Sequence, residues 1–443
     1  MAYLLHVRPG RGSRATAGFT LAEMLVTLAL FSVVVLGLLA MFDMNGRIAR
    51  VEGRVTDMQQ SLRAGQQDVV RTVRMAARGG LPMALYPDAT TAFTGRFMPN
   101  GLAVEIDNNV AADFKVAGSA EAPVLQGTDV ITVRGVFTNL YQSNPAGAGL
   151  TLEDANSDGV PEKGTLILDD TSPTGVPQDL QSVADAIDVS QNGQPEAYLL
   201  VSPLEDAIFA VVEIDPGSSY SESGGVITQA TVRFNASGTA RSELFRQISP
   251  GGSFPRTMTT VAYSGVLEEY RFYIRDPGPL KGKIQANQGN QLEPTLVRAR
   301  LYPGTDIPHK NDTANLHEEI AADIFDLQAT LGIDTNGDEI ITEGTDAGTR
   351  QTDEWLFNEA GDDATAANWN GTAVSPLKLS YLRITTLART AGADPQPQWQ
   401  AAPLARVEDK DYQTSPYNEF NTVVQRRYRR QTMQSLVDLR NLS

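Results

Sequence analysis

A loop in the first half of the chain places oxygen side chains at alternating positions. Asp154, Asn156 and Asp158 alternate along it, and Glu162 follows a few residues later. Oxygen side chains at this spacing converge on one hard cation when a loop curls, and the backbone carbonyl of Val160 can supply a further ligand. These five residues are therefore predicted to form a calcium site.

A second loop in the last third of the chain repeats this spacing. Asp334, Asn336 and Asp338 alternate in the same way, and the carbonyl of Ile340 and the carboxylate of Glu343 are further candidate ligands. A glutamate replaces the glycine that an EF-hand loop uses for its sharp turn. The pattern predicts a second calcium site.

Neither loop completes the EF-hand pattern, which ends on a bidentate glutamate. That position holds Thr165 in the first loop and Thr345 in the second. In the first loop, the ligand that completes the site would be Glu162, Asp169 or Asp170. In the second loop, it would be Glu343 or Asp346. Because Asp, Asn and Gly are also ordinary turn residues, plain turns are the alternative, and the sequence requires no cofactor.

The carboxylate of Glu23 stands beside an apolar run over 24–42 that only Thr27 and Ser32 interrupt. As a helix, this run covers about 28 Å, which is close to the thickness of one hydrocarbon core. The basic residues of 1–16 predict a cytoplasmic amino terminus, with the bulk of the chain across the membrane. A charge beside a membrane span is unfavourable, so Glu23 needs a function. The plain alternative is a signal anchor.

Helical spacing of apolar residues continues after the predicted span. Steps of three and four residues form one stripe, which predicts an amphipathic helix that packs on a protein partner, here the body of the same chain. The glycines and proline of 79–82 end it, so that one long helix is predicted over 19–80. The stripe consists of Ile48, Val51, Val55, Met58, Leu62, Val69 and Val73.

The segment from Gly18 to Glu23, followed by the unbroken apolar run, resembles the processing site of a type IV prepilin. The short basic stretch 1–18 resembles the leader peptide of that family. The resemblance implies cleavage after Gly18 by a prepilin peptidase and N-methylation of Phe19. It also implies that Glu23, the fifth residue of the mature chain, neutralises the new α-amino group of a neighbouring subunit during filament assembly.

Three further segments resemble PilW-type minor pilins. They are "SLRAGQQDVVRTVRMAARGG" at 61–80, "GTDVITVRG" at 127–135 and "YRRQTMQSLVDLRNLS" at 428–443. The resemblance implies an α+β, type IV pilin-like fold. In such a fold the long amino-terminal helix packs on an antiparallel β-sheet-rich domain, here over 81–443.

Alternating or short apolar runs predict strands throughout this domain. Two acidic, turn-rich segments at about 140–195 and 303–376 are predicted to be exposed insertions. In the second, apolar residues spaced by three and four predict a helix over 315–332, and the basic run 426–430 is predicted to be a solvated edge. The predicted strands are 130–135, 198–202, 207–214, 230–234, 270–274, 295–302, 377–387 and 433–442.

Composition and charge restrict the function. The chain of 443 residues has a net charge of −17, with an excess of positive charge in 1–78. The remainder is strongly acidic, which does not suit nucleic acid. The absence of cysteine and the presence of only three histidines exclude disulfides and argue against a thiolate or multi-histidine zinc site. No phosphate loop or G-x-S-x-G motif is present, so no enzymatic activity is predicted.

Together these features predict a minor pilin that primes pilus assembly or occupies the pilus tip. It would be a single-pass inner-membrane protein with a periplasmic body, and extracellular after assembly. Its partners would be other major and minor pilins, the prepilin peptidase, the inner-membrane assembly platform and the lipid bilayer, with no nucleic acid. The nearest alternative is a minor pseudopilin of a type II secretion system, although Glu23 argues mildly against it. An alternative of another class is a membrane-anchored periplasmic enzyme.

Overall fold

The computed structural model describes most of the chain after the predicted leader. The chain divides into two units, 1–54 and 55–443, and the helix that starts at Leu21 contributes residues to both. The described residues are 20–76, 103–111, 114, 116, 124–143, 150–153, 163–194, 196–201, 209–235, 243–246, 261–276, 294–309, 318–334, 336, 338–359, 379–396 and 398–439.

Three α-helices, twenty strands and two short 3-10 turns make up the described part of the chain. The helices are α1 (Leu21–Arg74), α2 (Gln181–Gln191) and α3 (Ala347–Arg350), and the 3-10 turns are Tyr417–Asn421 and Gln425–Arg427. The strands are β1 (Val104–Asp107), β2 (Val130–Gly135), β3 (Tyr141–Gln142), β4 (Leu150–Glu153), β5 (Lys163–Asp169), β6 (Ala197–Val201), β7 (Phe209–Ile214), β8 (Ser219–Ser223), β9 (Val226–Asn235), β10 (Glu243–Arg246), β11 (Tyr263–Val266), β12 (Glu268–Arg275), β13 (Thr295–Leu301), β14 (Glu318–Ala322), β15 (Ile324–Ile333), β16 (Trp355–Leu356), β17 (Leu379–Arg389), β18 (Arg406–Val407), β19 (Lys410–Asp411) and β20 (Arg430–Asp438).

Two antiparallel sheets and the second half of α1 share the main hydrophobic core. One sheet has five strands in the order β1-β2-β12-β13-β14, and the other has four in the order β16-β15-β17-β20. Met58, Leu62, Val69 and Val73 of α1 are buried in this core. These four residues belong to the predicted stripe, so the amphipathic spacing is confirmed from Met58 onward, whereas Ile48 stays 41% exposed.

A second core lies against a separate nine-stranded antiparallel sheet. Seven of its strands follow the order β3-β11-β6-β7-β9-β5-β4, while β10 pairs with β7 and β8 pairs with β9. Helix α2 contributes Val183 and Ile187 to this core, where they join Leu166 and Leu168 of β5. Inward-facing residues of β5 alternate with more exposed ones, as expected for a strand with one covered face.

The fold class predicted from the sequence is confirmed, since a long apolar amino-terminal helix accompanies antiparallel sheets. Each predicted strand segment overlaps an observed strand. The segment 140–195, however, is not simply turn-rich, because it contains β3, β4, β5 and α2 and supplies two strands at one end of the nine-stranded sheet.

The helix predicted over 315–332 is wrong. This segment forms β14 and β15, and every residue of β15 is buried. Because β15 lies between β16 and β17 and is covered on both faces, its burial does not alternate, and its apolar residues happen to match a helical period. The predicted bounds of the insertion over 303–376 are also wrong, because this range includes β15, a strand of the main core.

Candidate functional site

The amino-terminal end of α1 is closed by a reciprocal pair of hydrogen bonds between Thr20 and Glu23. The backbone N–H of Thr20 donates to Oε2 of Glu23 at 2.9 Å, and the backbone N–H of Glu23 donates to Oγ1 of Thr20 at 3.3 Å. The Thr20 hydroxyl also donates to the same carboxylate oxygen at 2.9 Å. This is a capping box, in which two side chains satisfy backbone donors that the first helical turn leaves free.

The first half of α1 is apolar and uncovered within its own unit. It is the one helix in the described part of the chain that is long and apolar enough to cross a membrane, and none of its most apolar window is buried. Large apolar side chains such as Leu21, Phe31 and Phe42 are 66–78% exposed. This surface needs lipid or other apolar helices around it, because water disfavours a continuous apolar patch of this length.

Two hydroxyls inside the apolar run are satisfied by the helix itself. The hydroxyl of Thr27 donates to the backbone carbonyl of Glu23 at 2.7 Å, and that of Ser32 donates to the carbonyl of Leu28 at 2.8 Å. The two residues that interrupt the apolar run therefore bring no unpaired donor into an apolar environment. Glu23 alone brings a charge, and it stands at the helix start, where a carboxylate is favoured by the helix dipole.

The predicted cleavage and methylation residues, Gly18 and Phe19, lie outside the described residues. Thr20, the residue after Phe19, is the first that the structure describes. The carboxylate of Glu23 is therefore hydrogen-bonded to Thr20, the residue next in sequence to the position where the predicted cleavage would create an α-amino group.

The second half of α1 is held to the sheets by a buried polar contact as well as by apolar packing. Nε2 of Gln66 donates to the backbone carbonyl of Ile384 at 2.8 Å, and Thr386 of the same strand contacts Oε1 of Gln66. Gly65 allows close approach, because a Cβ there would lie 2.9 Å from Leu296 and 3.0 Å from Ala321. Sequence reasoning missed both residues, although a Gly-Gln pair inside an apolar stripe is a signal of close helix packing.

Two family models match the chain, one at each end. The Prokaryotic N-terminal methylation motif matches residues 13–39, which include the Gly18–Glu23 segment. The Type IV Pilus-assembly protein W model matches residues 283–441, which include β13 through β20. Residues 283–441 are thus similar to the PilW family of type IV pilus-assembly proteins, and the amino-terminal segment is similar to the methylation motif of type IV prepilins. The match to the second model contains the whole four-stranded sheet, whereas the nine-stranded sheet precedes it.

The remaining comparisons add little to these two matches. A solved structure, a type IV-like pilin from Thermus thermophilus, is 8% identical and covers 59% of this chain and 96% of that chain. Its TM-score of 0.18 is too low to support an argument about the fold. No curated protein matches the sequence significantly.

The first predicted calcium loop lies outside the described residues. Its candidate ligands are Asp154, Asn156, Asp158, Val160 and Glu162, and the structure describes none of them. Strands β4 and β5, which flank the loop, pair directly, with Glu153 opposite Lys163. The loop is therefore the connection of a β-hairpin, and calcium binding there stays a prediction.

The second predicted loop uses its oxygen side chains to hold turns. Oδ1 of Asn336 accepts from the N–H of Asp338 at 2.8 Å, and Oδ1 of Asp338 accepts from the N–H of Ile340 at 2.9 Å. Oδ2 of Asp334 accepts from the N–H of Glu339 at 2.9 Å. The bonds of Asn336 and Asp338, each to the N–H two residues on, are those of ordinary Asx turns, which were the alternative to a metal site.

Glu343, a further candidate ligand of the second loop, is engaged by two arginines. Its carboxylate contacts Arg383 at 2.9 Å and Arg350 at 3.0 Å. Burial acts to raise the pKa of Glu343, but these arginines outweigh it and hold the pKa below its usual value. Within the described residues, no three His, Asp or Glu side chains group closely enough to hold a metal ion.

The basic run 426–430 was predicted to be a solvated edge, and this prediction is wrong. Its arginines instead bind the loop that precedes β18. Arg429 binds the carboxylate of Asp394 through Nε at 3.0 Å and through a terminal nitrogen at 2.9 Å. Its guanidinium carbon lies 4.7 Å from the ring centroid of Trp399. Arg426 donates to the carbonyl of Ala401 at 2.8 Å. The partners are backbone and side-chain groups 25–35 residues earlier in the chain, so local sequence gave no indication of them.

Proposed function

We propose that this protein is a PilW-like, non-enzymatic minor pilin that helps prime type IV pilus assembly, is located at the pilus tip, or both. The observation that carries the proposal is the uncovered apolar surface of α1 from Leu21 to Met44, which begins at the Thr20–Glu23 capping box. An exposed helix of this kind suits lipid before assembly and a bundle of apolar helices afterwards.

Processing would prepare the helix end for assembly. A prepilin peptidase would cut after Gly18, and Phe19 would carry the new, N-methylated α-amino group. In the uncut chain Glu23 accepts hydrogen bonds from Thr20. After cleavage, the same carboxylate is available to a neighbouring subunit's ammonium, and pairing reduces the unfavourable free energy of two charges in an apolar surrounding.

The proposed topology follows from the charge distribution. The basic leader would keep the amino terminus in the cytoplasm, with the span in the inner membrane and the acidic body in the periplasm. Its partners would be the prepilin peptidase, the assembly platform, and major and minor pilins that contact α1. After assembly, the body would be extracellular.

Substitution of Glu23 tests this role. In Glu23→Ala we expect normal removal of the leader, as seen by gel mobility, but little of the subunit in sheared pili. Asp57→Ala, which removes an exposed acid from the same helix, is the matched control and should be incorporated normally. Normal incorporation of the Glu23 variant would contradict the proposal.

Deletion of the gene separates the pilus role from the type II secretion alternative. Loss of surface pili and of twitching motility, with exoprotein secretion unchanged, is expected for a minor pilin. Loss of exoprotein secretion with pili intact would instead identify a pseudopilin.

A further inference from the structure

A lysine and an aspartate meet in the interior of the body. Lys410 is the first residue of β19, and Asp326 lies on β15, which is covered on both faces. Nζ of Lys410 is 3.0 Å from Oδ1 of Asp326, and both side chains are 0% exposed. A fully buried ion pair is a poor source of stability, because removing two charges from water costs several kcal/mol per ion.

The groups around this pair are arranged about the carboxylate. The hydroxyl of Tyr412 donates to Oδ2 of Asp326, and Nε2 of Gln328 donates to Oδ1 at 3.0 Å. The rings of Tyr412 and Tyr417 each lie with their centroids 5.0 Å from Nζ of Lys410. The amine of Lys410 is thus held against Oδ1 of Asp326 beside two aromatic rings. Oδ2 of Asp326 accepts a hydrogen bond from the Tyr412 hydroxyl.

We propose that Lys410 and Asp326 join through an intramolecular isopeptide bond between Nζ and the side-chain carboxyl carbon. The chain has no cysteine, so it cannot link distant strands by disulfides. An amide between residues 84 positions apart would connect β15 of the main core to the β18–β19 hairpin. The inference does not depend on the proposed pilus role.

The reaction is a condensation that balances within the pair. A proton passes from the ammonium of Lys410 to Oδ1 of Asp326, which leaves a neutral amine and a neutral carboxylic acid. The nitrogen lone pair attacks the carboxyl carbon, and the hydroxyl of Tyr412 stabilises the negative charge that develops on Oδ2. A second proton passes from nitrogen to Oδ1, the bond from carbon to Oδ1 breaks, and one water molecule leaves. Oδ2 becomes the amide oxygen and retains its hydrogen bond from Tyr412.

Two physical factors favour this bond in the folded chain. The reacting groups are in contact, and effective molarities of about 10⁵–10⁸ M are reached when such groups are held in a productive arrangement. The product is also neutral, so the unfavourable burial of two charges disappears. The buried pairs Arg134–Glu269 and Arg383–Glu408 have similar separations of 2.7 Å, but a guanidinium remains protonated and is not a nucleophile.

Peptide mapping of the purified, denatured full-length protein tests the proposal. Tryptic digestion should give residues 311–350 covalently joined to 407–426, uncut after Lys410 and lighter by one water molecule than the two peptides together. Separate peptides 311–350, 407–410 and 411–426, with no joined species, would overturn it.

Two variants establish which groups form the bond. Lys410→Arg keeps the positive charge but should abolish the joined peptide, and a joined species that persists in this variant would overturn the assignment to Lys410. Tyr412→Phe keeps the aromatic ring and should lower the joined fraction in newly synthesised protein. An unchanged joined fraction would overturn the role of the Tyr412 hydroxyl.

Discussion

Gln66 of α1 and Ile384 of β17 are joined by a buried hydrogen bond of 2.8 Å, from the side-chain Nε2 to the backbone carbonyl. The other end of the Gln66 amide contacts the hydroxyl of Thr386. This contact holds the second half of α1 to the four-stranded sheet at a defined position along the helix. Apolar packing alone would be less specific, because neighbouring turns of a stripe present similar side chains.

Replacement of Gln66 should therefore destabilise the body. Gln66→Leu removes both hydrogen bonds and leaves the buried hydroxyl of Thr386 without its amide partner, so we expect a loss of about 1–3 kcal/mol in the free energy of unfolding. Chemical denaturation of the full-length protein in detergent provides the measurement. The exposed neighbour is the control, since Gln67→Leu should change stability by less than about 0.5 kcal/mol.

Gly65 should tolerate no side chain. A Cβ there would lie 2.9 Å from Leu296 and 3.0 Å from Ala321, so Gly65→Val is expected to overpack the interface and lower stability by about 1–3 kcal/mol. Gly53 lies on the same helix with no atom within 4 Å of its Cβ position. Gly53→Ala should be neutral or stabilising by up to about 1 kcal/mol, since alanine favours helix. Similar thermal midpoints for the two variants would contradict this packing.

Asp107 should make stability depend on pH. Burial, and next the carboxylate of Glu105, raise the pKa of Asp107 to about 6, against the attraction of Arg271 and Arg134. At pH values between the ordinary pKa of an aspartate and about 6, the folded chain binds more protons than the unfolded chain. The contribution of Asp107 to stability therefore falls as the pH rises through this window.

Asp107→Asn should consequently raise the thermal midpoint at pH 7.5, by an amount that corresponds to about 1–3 kcal/mol, and should have little effect below pH 4. The exposed Asp57→Asn serves as the matched control. A benefit that is the same at both pH values would show that titration of Asp107 is not responsible.

Calcium is expected to act through the first acidic loop rather than the second. Binding to the folded state would raise the thermal midpoint relative to a chelator. Asp158→Ala should abolish this increase, whereas Asp338→Ala should retain it, because Asp338 and Glu343 are already engaged within the chain. Equal midpoints with calcium and with chelator would contradict the prediction for the first loop.

Local features were predictable from the sequence because their causes are local. The apolar run and the stripe from Met58 to Val73 depend on neighbours within one or two helical turns. The strand at 130–135 was likewise readable from a short β-branched run. The sequence thus determined the long helix, its membrane-length apolar surface and the β-rich character of the body.

The tertiary structure decided which distant residues meet. It placed β15 between two other strands, where burial on both faces removes the alternation of apolar and polar residues that identifies a strand. It also showed that the basic run 426–430 binds the loop before β18. It also brought Lys410 to Asp326 and Gln66 to Ile384, across separations of 84 and 318 residues. Such contacts form only when the sheets close around the core, and no periodicity along the chain reports them.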